Sequence, residues 1–316
     1  MKALIYRHFG PAENIQWVDG WPKPKLDPES VILQATAGGL NPKDILLRKG
    51  MFSKTLARDP LPRVSGMDVS GIVAEVGDQV THIKVGDHVF GMTNHFSGGL
   101  HCEFAKLNQG EVAKAPLNIP LENASTVPLA ALTALQALRD CGRLKSGQRV
   151  LINGASGGVG HFAVQIAKIF GAQVDAVCSH KNTHFVQSLG ADTVHDYRLS
   201  PAHKIDAQFD LVFDVFGKMT RKAFSKQLLK SGIYVSTVPK LVNFWGEALG
   251  RLGISKVNRL VEVKSNAKDL SLLKGWIEQE QLVPFVEKVY PVEQAADAHR
   301  HIETKHTVGK ICIKFD

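Results

Sequence analysis

Hydrophobic and polar positions alternate in short bursts over the first 120 residues. The runs "KALIY", "VILQATA", "GIVAEVG", "DHVFGM" and "CEFAKL" are separated by turn formers at "GDQ", "VGDH" and "SGG". Short apolar runs punctuated by Gly, Pro and Asp predict an irregular, β-rich unit. The next stretch, "ENASTVPLAALTALQALRDCG", has apolar residues at helical spacing and a stop at Gly142.

From Gln148 the rhythm changes. "RVLIN" reads as a buried strand, "GGVGHFAVQIAKIFGA" as a helix ending near Gly171, and "QVDAVCS" as a second strand. "NTHFVQSLGAD" predicts a helix, "DLVFDVFG" a strand, "RKAFSKQLLKSG" a helix and "IYVSTV" a strand. Such alternation predicts a parallel sheet covered by helices on both faces. Residues 240–263 are basic and apolar without clear periodicity and read as an elaboration of this sheet. "LVPFVEKVYPVEQAADAHRHIETKHTVGKICIKF" returns to strand, helix and strand.

Composition adds boundaries rather than detail. A chain of 316 residues, 44% hydrophobic and 22% charged, has the make-up of a globular protein of two domains. No run of about 18 apolar residues predicts a membrane span, and "MKALIYRHFG" lacks the apolar core of a secretory signal. Cys102, Cys141, Cys178 and Cys312 are scattered, which fits a reducing cytoplasm better than a disulfide framework. The formal charge of +8 is spread along the chain, without the basic run or aromatic–basic signature of a nucleic-acid binder. A positive field of this kind favours an anionic ligand.

The sharpest local signal is Gly154-Ala155-Ser156-Gly157-Gly158-Val159-Gly160. Glycine patterns serve any tight turn, but this one follows a strand, opens a helix and precedes a second strand by one βαβ unit. Glycine lets backbone approach a pyrophosphate, and a helix N-terminus favours its charge. The end of the second strand then bears on the choice of nucleotide. An NAD-preferring fold places Asp or Glu there to accept from the ribose hydroxyls; here the residues are Cys178-Ser179-His180-Lys181-Asn182, and Asp175 falls too early. Ser179 and His180 can donate to a 2′-phosphate and Lys181 can offset its charge, although Lys181 also suits a solvated helix start. The expected cofactor is NADPH.

These stretches, with "GGLNPKDILLRKG", "VSGMDVSGIVAEVGDQVTHIKVGDHVFGM", "GGLHCEFAKL" and "STVPLAALTALQAL", occur in an order that resembles the medium-chain dehydrogenase/reductase superfamily. The resemblance is greatest to its zinc-free quinone oxidoreductase branch, including the alkenal and enone reductases of plants. It implies an α/β fold: a Rossmann doubly wound parallel sheet plus a GroES-like β-rich catalytic domain, with the cofactor in the cleft between them. The implied boundaries are 1–120 for the catalytic domain, 121–264 for the NADPH-binding domain and 265–316 for a return to the catalytic domain. The resemblance also implies a homodimer.

Zinc alcohol dehydrogenases of that superfamily carry a cysteine within the stretch "GGLNPKD" and a "GHE" where this chain has Gly66-Met67-Asp68. Asn41 and Met67 stand at the two ligand positions, and neither suits a zinc site built from Cys or His. The structural zinc lobe has no counterpart either, and His95, His101 and Cys102 lack a second ligand cluster. No metal is expected. Without a Lewis acid, reduction of an acceptor already polarised by conjugation is easier than oxidation of an alcohol. A quinone or an α,β-unsaturated carbonyl is therefore the expected substrate.

The resemblance places Asn41 near the nicotinamide with its amide as a donor, although an Asn before Pro42 also suits a turn cap. Asp44 orients the loop; Lys43 is either a proton donor or solvated; Thr133 lies near the nicotinamide or packs a helix. Relatives carry Tyr two residues after that aspartate, and here Leu46 stands in its place, leaving the proton donor open. Tyr197 matches an adenine-proximal tyrosine or packs a strand. Phe216 and Val238 follow later strands of the sheet, where open α/β folds bind ligands. Lys310, before the last strand, resembles a residue near the cofactor cleft. Two other functions stay open: a zinc-free alcohol or carbonyl dehydrogenase, and a low-turnover nucleotide-binding protein.

Overall fold

The computed structural model describes residues 1–217, 219–238 and 258–315. The chain divides into two compact units, one formed by residues 1–132 and 264–316, the other by residues 133–263.

Unit 1 begins with β1 (Ala3–Tyr6), β2 (Ile15–Val18), β3 (Ser30–Leu40) and helix α1 (Pro42–Arg48). There follow β4 (Arg63–Val64), β5 (Asp68–Val76), β6 (His88–Met92), β7 (Phe104–Asn108) and β8 (Val112–Lys114). The long β3 is buried along most of its length, because β5 and β7 both pair with it and β16, below, joins its C-terminal half. A buried core including Leu4, Ile5, Val31, Leu33, Val69 and Val89 fills this unit.

The helical reading of "ENASTVPLAALTALQALRDCG" resolves into three pieces. Helix α2 (Leu121–Ala124) stops short, Pro128 opens α3 (Pro128–Gln136), and a wider π-turn over Ala137–Cys141 ends at Gly142. A proline at the first helical position restarts a helix because its missing N–H is not needed there.

Unit 2 alternates β9 (Arg149–Asn153), α4 (Gly158–Ile169), β10 (Gln173–Cys178), α5 (Thr183–Ser188), β11 (Thr193–Asp196), β12 (Phe209–Asp214), β13 (Leu228–Ser236) and β14 (Asn258–Leu260). All neighbours are parallel, in the order β11-β10-β9-β12-β13-β14. This is the doubly wound Rossmann order, in which the direction of winding reverses between β9 and β12. Central strands such as β10 are buried on both faces, which explains their nearly unbroken apolar runs.

One expected helix is absent. "RKAFSKQLLKSG" forms only a single 3-10 turn over Arg221–Phe224, and its second half already belongs to β13. Phe209 of β12 pairs with Leu228, and burial of Leu228 in the unit 2 core with Phe224 and Tyr234 outweighs the helical propensity of the sequence. The stretch 240–263 falls mostly outside the described residues; its end supplies β14 and so extends the sheet.

The chain then adds α6 (Ala267–Glu278), β15 (Val286–Pro291), α7 (Ala295–Glu303) and β16 (Lys310–Lys314) to unit 1. Strand β16 inserts between β15 and β3, parallel to the first and antiparallel to the second. Fully buried Arg48 of α1 donates to Gly10 O, to His299 Nδ1 at 3.3 Å and to Glu303, and so anchors α1 to α7.

Candidate active site

In unit 2 the glycine turn lies at the C-terminal end of β9, beside the point where the winding reverses. Gly154 has φ +94°, a region that side chains rarely adopt. Gly160 packs α4 against the turn so closely that a Cβ there would stand 2.1 Å from Gly154 O. Gly157, which caps α4, differs: its φ is −84°, and a Cβ would meet only Gly154 O at 3.6 Å. That open space in front of a helix N-terminus fits a pyrophosphate. Ala155 is buried beneath the turn, Ser156 Oγ accepts from Asn182 Nδ2 at 3.0 Å, and Gly158 and Val159 form the first turn of α4.

The end of β10 carries Ser179, His180 and Lys181 into a short 3-10 turn. The earlier acid, Asp175, is fully buried and already engaged. Arg149 donates to both of its oxygens, at 2.7 and 3.0 Å, and His195 contacts it at 2.8 Å. Burial would raise its pKa, yet the hydrogen bonds from His195 and Arg149 hold the carboxyl below the usual range. Tyr197 follows β11, donates its backbone N–H to Cys178 O at 3.1 Å and is 44% exposed, which places it beside the end of β10 rather than in the strand core.

Sequence reasoning missed the residue that holds the neighbouring loops. Asp214 is fully buried at the end of β12 and accepts from Asn153 Nδ2, Gly217 N, Met219 N and Tyr234 Oη. It thereby ties the ends of β9, β12 and β13 together. Its only sequence signal was its position after the apolar run "LVF". Phe216 and Val238 follow these strands and expose apolar surface, and Gly217 lets them approach, since a Cβ there would lie 2.2 Å from the Val238 side chain. Thr133 is buried in α3.

Unit 1 brings together Asn41, Asp44, Asp68 and Lys310. Asn41 is buried after β3; its Nδ2 donates to Asp68 Oδ2 at 2.9 Å and to Gly39 O at 3.3 Å. Both amide hydrogens are thus engaged within the unit. Lys310 is buried at the start of β16 and donates to Asn41 Oδ1 at 2.5 Å and to Leu40 O at 3.0 Å. Asp44 accepts from the Asn41 backbone N–H at 2.8 Å, which closes the first turn of α1, and Asp68 Oδ1 accepts from Leu129 N. Burial, reinforced by Asp68, pushes the Asp44 carboxyl up to about 7, and burial pushes Asp68 up to about 6; Lys310 opposes both shifts. Burial lowers the Lys310 ammonium.

This donor set does not fit zinc. Lys310 presents its ammonium to the Asn41 side-chain oxygen, and Met67 is buried in an apolar cluster with Leu47 and Ala57. The three residues close in sequence diverge: His95 contacts Asp59 at 3.1 Å, Cys102 Sγ lies 3.2 Å from Phe104 O, and His101 is buried. Burial pushes the His101 imidazole down to about 4. Its ring fills the space over Gly38 and Gly66, where a Cβ would stand within 2.3 Å of it. Lys43 and Leu46, on the same short helix as Asp44, are partly exposed. A groove of about 910 Å³ elsewhere on unit 1, lined by residues that include Trp21, Lys23, Phe104 and Lys106, contains none of the clustered residues.

Comparison with known proteins agrees with this architecture. Residues 27–120 match the family described as alcohol dehydrogenase GroES-like domain, and residues 189–313 match that described as zinc-binding dehydrogenase. The chain is 33% identical to the chloroplast envelope quinone oxidoreductase homolog of Arabidopsis thaliana, over 99% of this chain and 98% of that one. It is 32% identical to the chloroplastic NADPH-dependent alkenal/one oxidoreductase of the same plant, over 99% of this chain and 79% of that one. The solved structure of the quinone oxidoreductase from Coxiella burnetii superposes with a TM-score of 0.90 at 29% identity, covering 99% of both chains. With its GroES-like and Rossmann units and this similarity along nearly its whole length, the chain belongs to the medium-chain dehydrogenase/reductase superfamily, in its quinone oxidoreductase branch.

Proposed function

We propose that this protein is an NADPH-dependent oxidoreductase that reduces a quinone or an α,β-unsaturated carbonyl without zinc. The observation that carries the reading is the open space at Gly157, at the reversal point of a doubly wound sheet, in a chain similar throughout to quinone and alkenal/one oxidoreductases. When bound, NADPH supplies a hydride from its nicotinamide ring. The turn from Gly154 to Gly160 would cradle its pyrophosphate, with Tyr197 near the adenine and Phe216 and Val238 towards the nicotinamide. Thr133 is assigned to the nicotinamide side as well. Ser179, His180 and Lys181 would receive the 2′-phosphate. The engagement of Asp175 by Arg149 and His195 supports this preference, because it leaves no acid of β10 free to accept from a ribose.

In unit 1, Lys310 holds Asn41 by its side-chain oxygen, and Asp44 holds the same residue by its backbone. Asn41 and Asp44 therefore orient the start of α1, and Lys310 balances the buried carboxyls of Asp44 and Asp68. Lys310, expected near the cofactor cleft, is in addition a support of Asn41. The scattered cysteines support a reducing compartment such as the cytoplasm, and no described helix is long and apolar enough to cross a membrane. The resemblance supports a homodimer.

The test is anaerobic consumption of NADPH and NADH by metal-analysed protein offered a small quinone, an enone and a simple aldehyde. Reduction of quinone or enone with NADPH preferred is the expected result. Preference for NADH, or reduction of the aldehyde alone, would refute the corresponding part of the proposal. Tight NADPH binding without turnover would favour a nucleotide-binding role.

A further inference from the structure

Unit 1 holds a second lysine close to the buried cluster, and it is treated differently by its surroundings. Lys310 spends its donors on two oxygens. Lys43 is half-buried, its Nζ lies 4.2 Å from the centroid of the Phe96 ring, and among the described residues it has neither a hydrogen-bond acceptor nor an ion-pair partner. An ammonium has three hydrogens to place, and at Lys43 no described protein acceptor takes any of them, so they are free to meet solvent or a ligand. The Phe96 face holds the ammonium in place without using its hydrogens.

The ring beneath it is fixed. His95 and Ser97, on either side of Phe96 in the chain, both contact the Asp59 carboxylate. Phe96 also meets Phe52 edge-on at a centroid distance of 5.5 Å. Phe52 adopts φ +67°, a strained conformation for a bulky residue, and the backbone N–H groups of Thr55, Leu56 and Ala57 all donate to its carbonyl oxygen. With Leu129, both rings pack against Leu47, Ala57 and Met67. The result is an apolar aromatic wall beside a cation whose hydrogens no described protein group takes.

We propose that Lys43 is the catalytic residue that meets the acceptor's oxygen, and that Phe52 and Phe96 select a flat, uncharged, conjugated acceptor. The proposal rests on the reductase reading above. For an enone, the β-carbon gains the hydride with its two electrons, the nicotinamide being oxidised. The C=C pair moves to form a new C=C bond to the carbonyl carbon, and the carbonyl π pair settles on oxygen. The oxygen takes a proton from Lys43 Nζ, whose N–H electron pair stays on nitrogen. Water returns a proton to the amine, and the enol released becomes the ketone. Burial lowers the Lys43 ammonium from the ordinary lysine value, with Asp44 and Asp68 pulling the other way. The lowering brings it nearer the range in which proton donation is efficient.

Two measurements on the full chain test this. The first, which needs no cofactor or turnover, is absorbance titration with para-nitrophenolate as a stand-in for the oxyanion. Wild type and Lys43→Arg should bind the phenolate form, and Lys43→Met should lose that selectivity. The second is NADPH-dependent reduction of benzylideneacetone. Lys43→Met and Lys43→Arg should each lower kcat about 100-fold with little change in KM, because arginine keeps the charge but not the transferable proton. Equal phenolate binding by wild type and Lys43→Met, or an unchanged kcat in Lys43→Met, would overturn the assignment. If wild type reduces no acceptor, the reductase reading fails, and the phenolate titration still decides whether Lys43 is an oxyanion site.

Discussion

The glycine turn of unit 2 and the buried cluster of unit 1 are built by opposite means. Around Gly157 the groups offered to a ligand are backbone N–H groups and empty space. Around Asn41 they are side chains drawn from the end of β3, from α1, from β5 and from β16, with Asn41 and Lys310 separated by 269 positions. A backbone site depends on what is absent from a side chain, so substitution adds an obstacle. A side-chain cluster depends on balanced charge, so substitution leaves something uncompensated.

The largest effect should come from removing the cation of the cluster. Lys310→Met should destabilise the protein by about 3–5 kcal/mol in denaturant unfolding, the usual cost of breaking a buried charge cluster. The loss should also depend on pH. In the wild type, Asp44 holds its proton to about 7 and Asp68 to about 6, whereas an unfolded aspartate releases it near about 4. Between those values the native state binds more protons than the unfolded chain, so stability falls as pH rises and levels off above about 7. Without Lys310 both carboxyls rise further, and the deficit should be larger at about pH 8 than at about pH 5. A pH-independent deficit would mean that Lys310 acts by packing alone.

Gly157→Val should show the opposite signature. Its φ suits any residue and its Cβ has room, so thermal unfolding without nucleotide should be nearly unchanged. NADPH binding, followed by fluorescence, should weaken about 100-fold, equivalent to about 3 kcal/mol. Unchanged binding would place the pyrophosphate elsewhere. The smallest expected effect is on choice between cofactors. Lys181→Ala should reduce the preference for NADPH over NADH about tenfold in kcat/KM, as for one exposed charge contact to a phosphate, and the change should shrink in high salt.

The same contrast explains what could be read from the sequence. Strands of unit 1 and the β-α-β rhythm of unit 2 were legible because burial imposes a local period. The glycine turn was legible because close approach excludes a Cβ, and only one residue type lacks it. The stretch from Arg221 to Gly232 misled, because its helical pattern is local while its pairing with β12 is not. Asp214 escaped notice for a related reason, and Asp68 was read only as part of the stretch that stands where zinc relatives carry "GHE". Each is a single acid after or within an apolar run, and nothing nearby in sequence indicates that Asn153, Tyr234 or Asn41 will donate to it. Asn41 was found from its motif, but only the structure reveals that its amide is already used.

The insertion of β16 between β15 and β3 has a consequence for how the protein is made. Asn41, Asp44 and Asp68 leave the ribosome early, whereas the ammonium that balances them arrives more than 200 residues later. Until then β3 lacks one neighbour and the two carboxyls lack their counter-charge. All six described strands of the unit 2 sheet are therefore synthesised before the last strand of unit 1, so the order of synthesis favours completing the second sheet first.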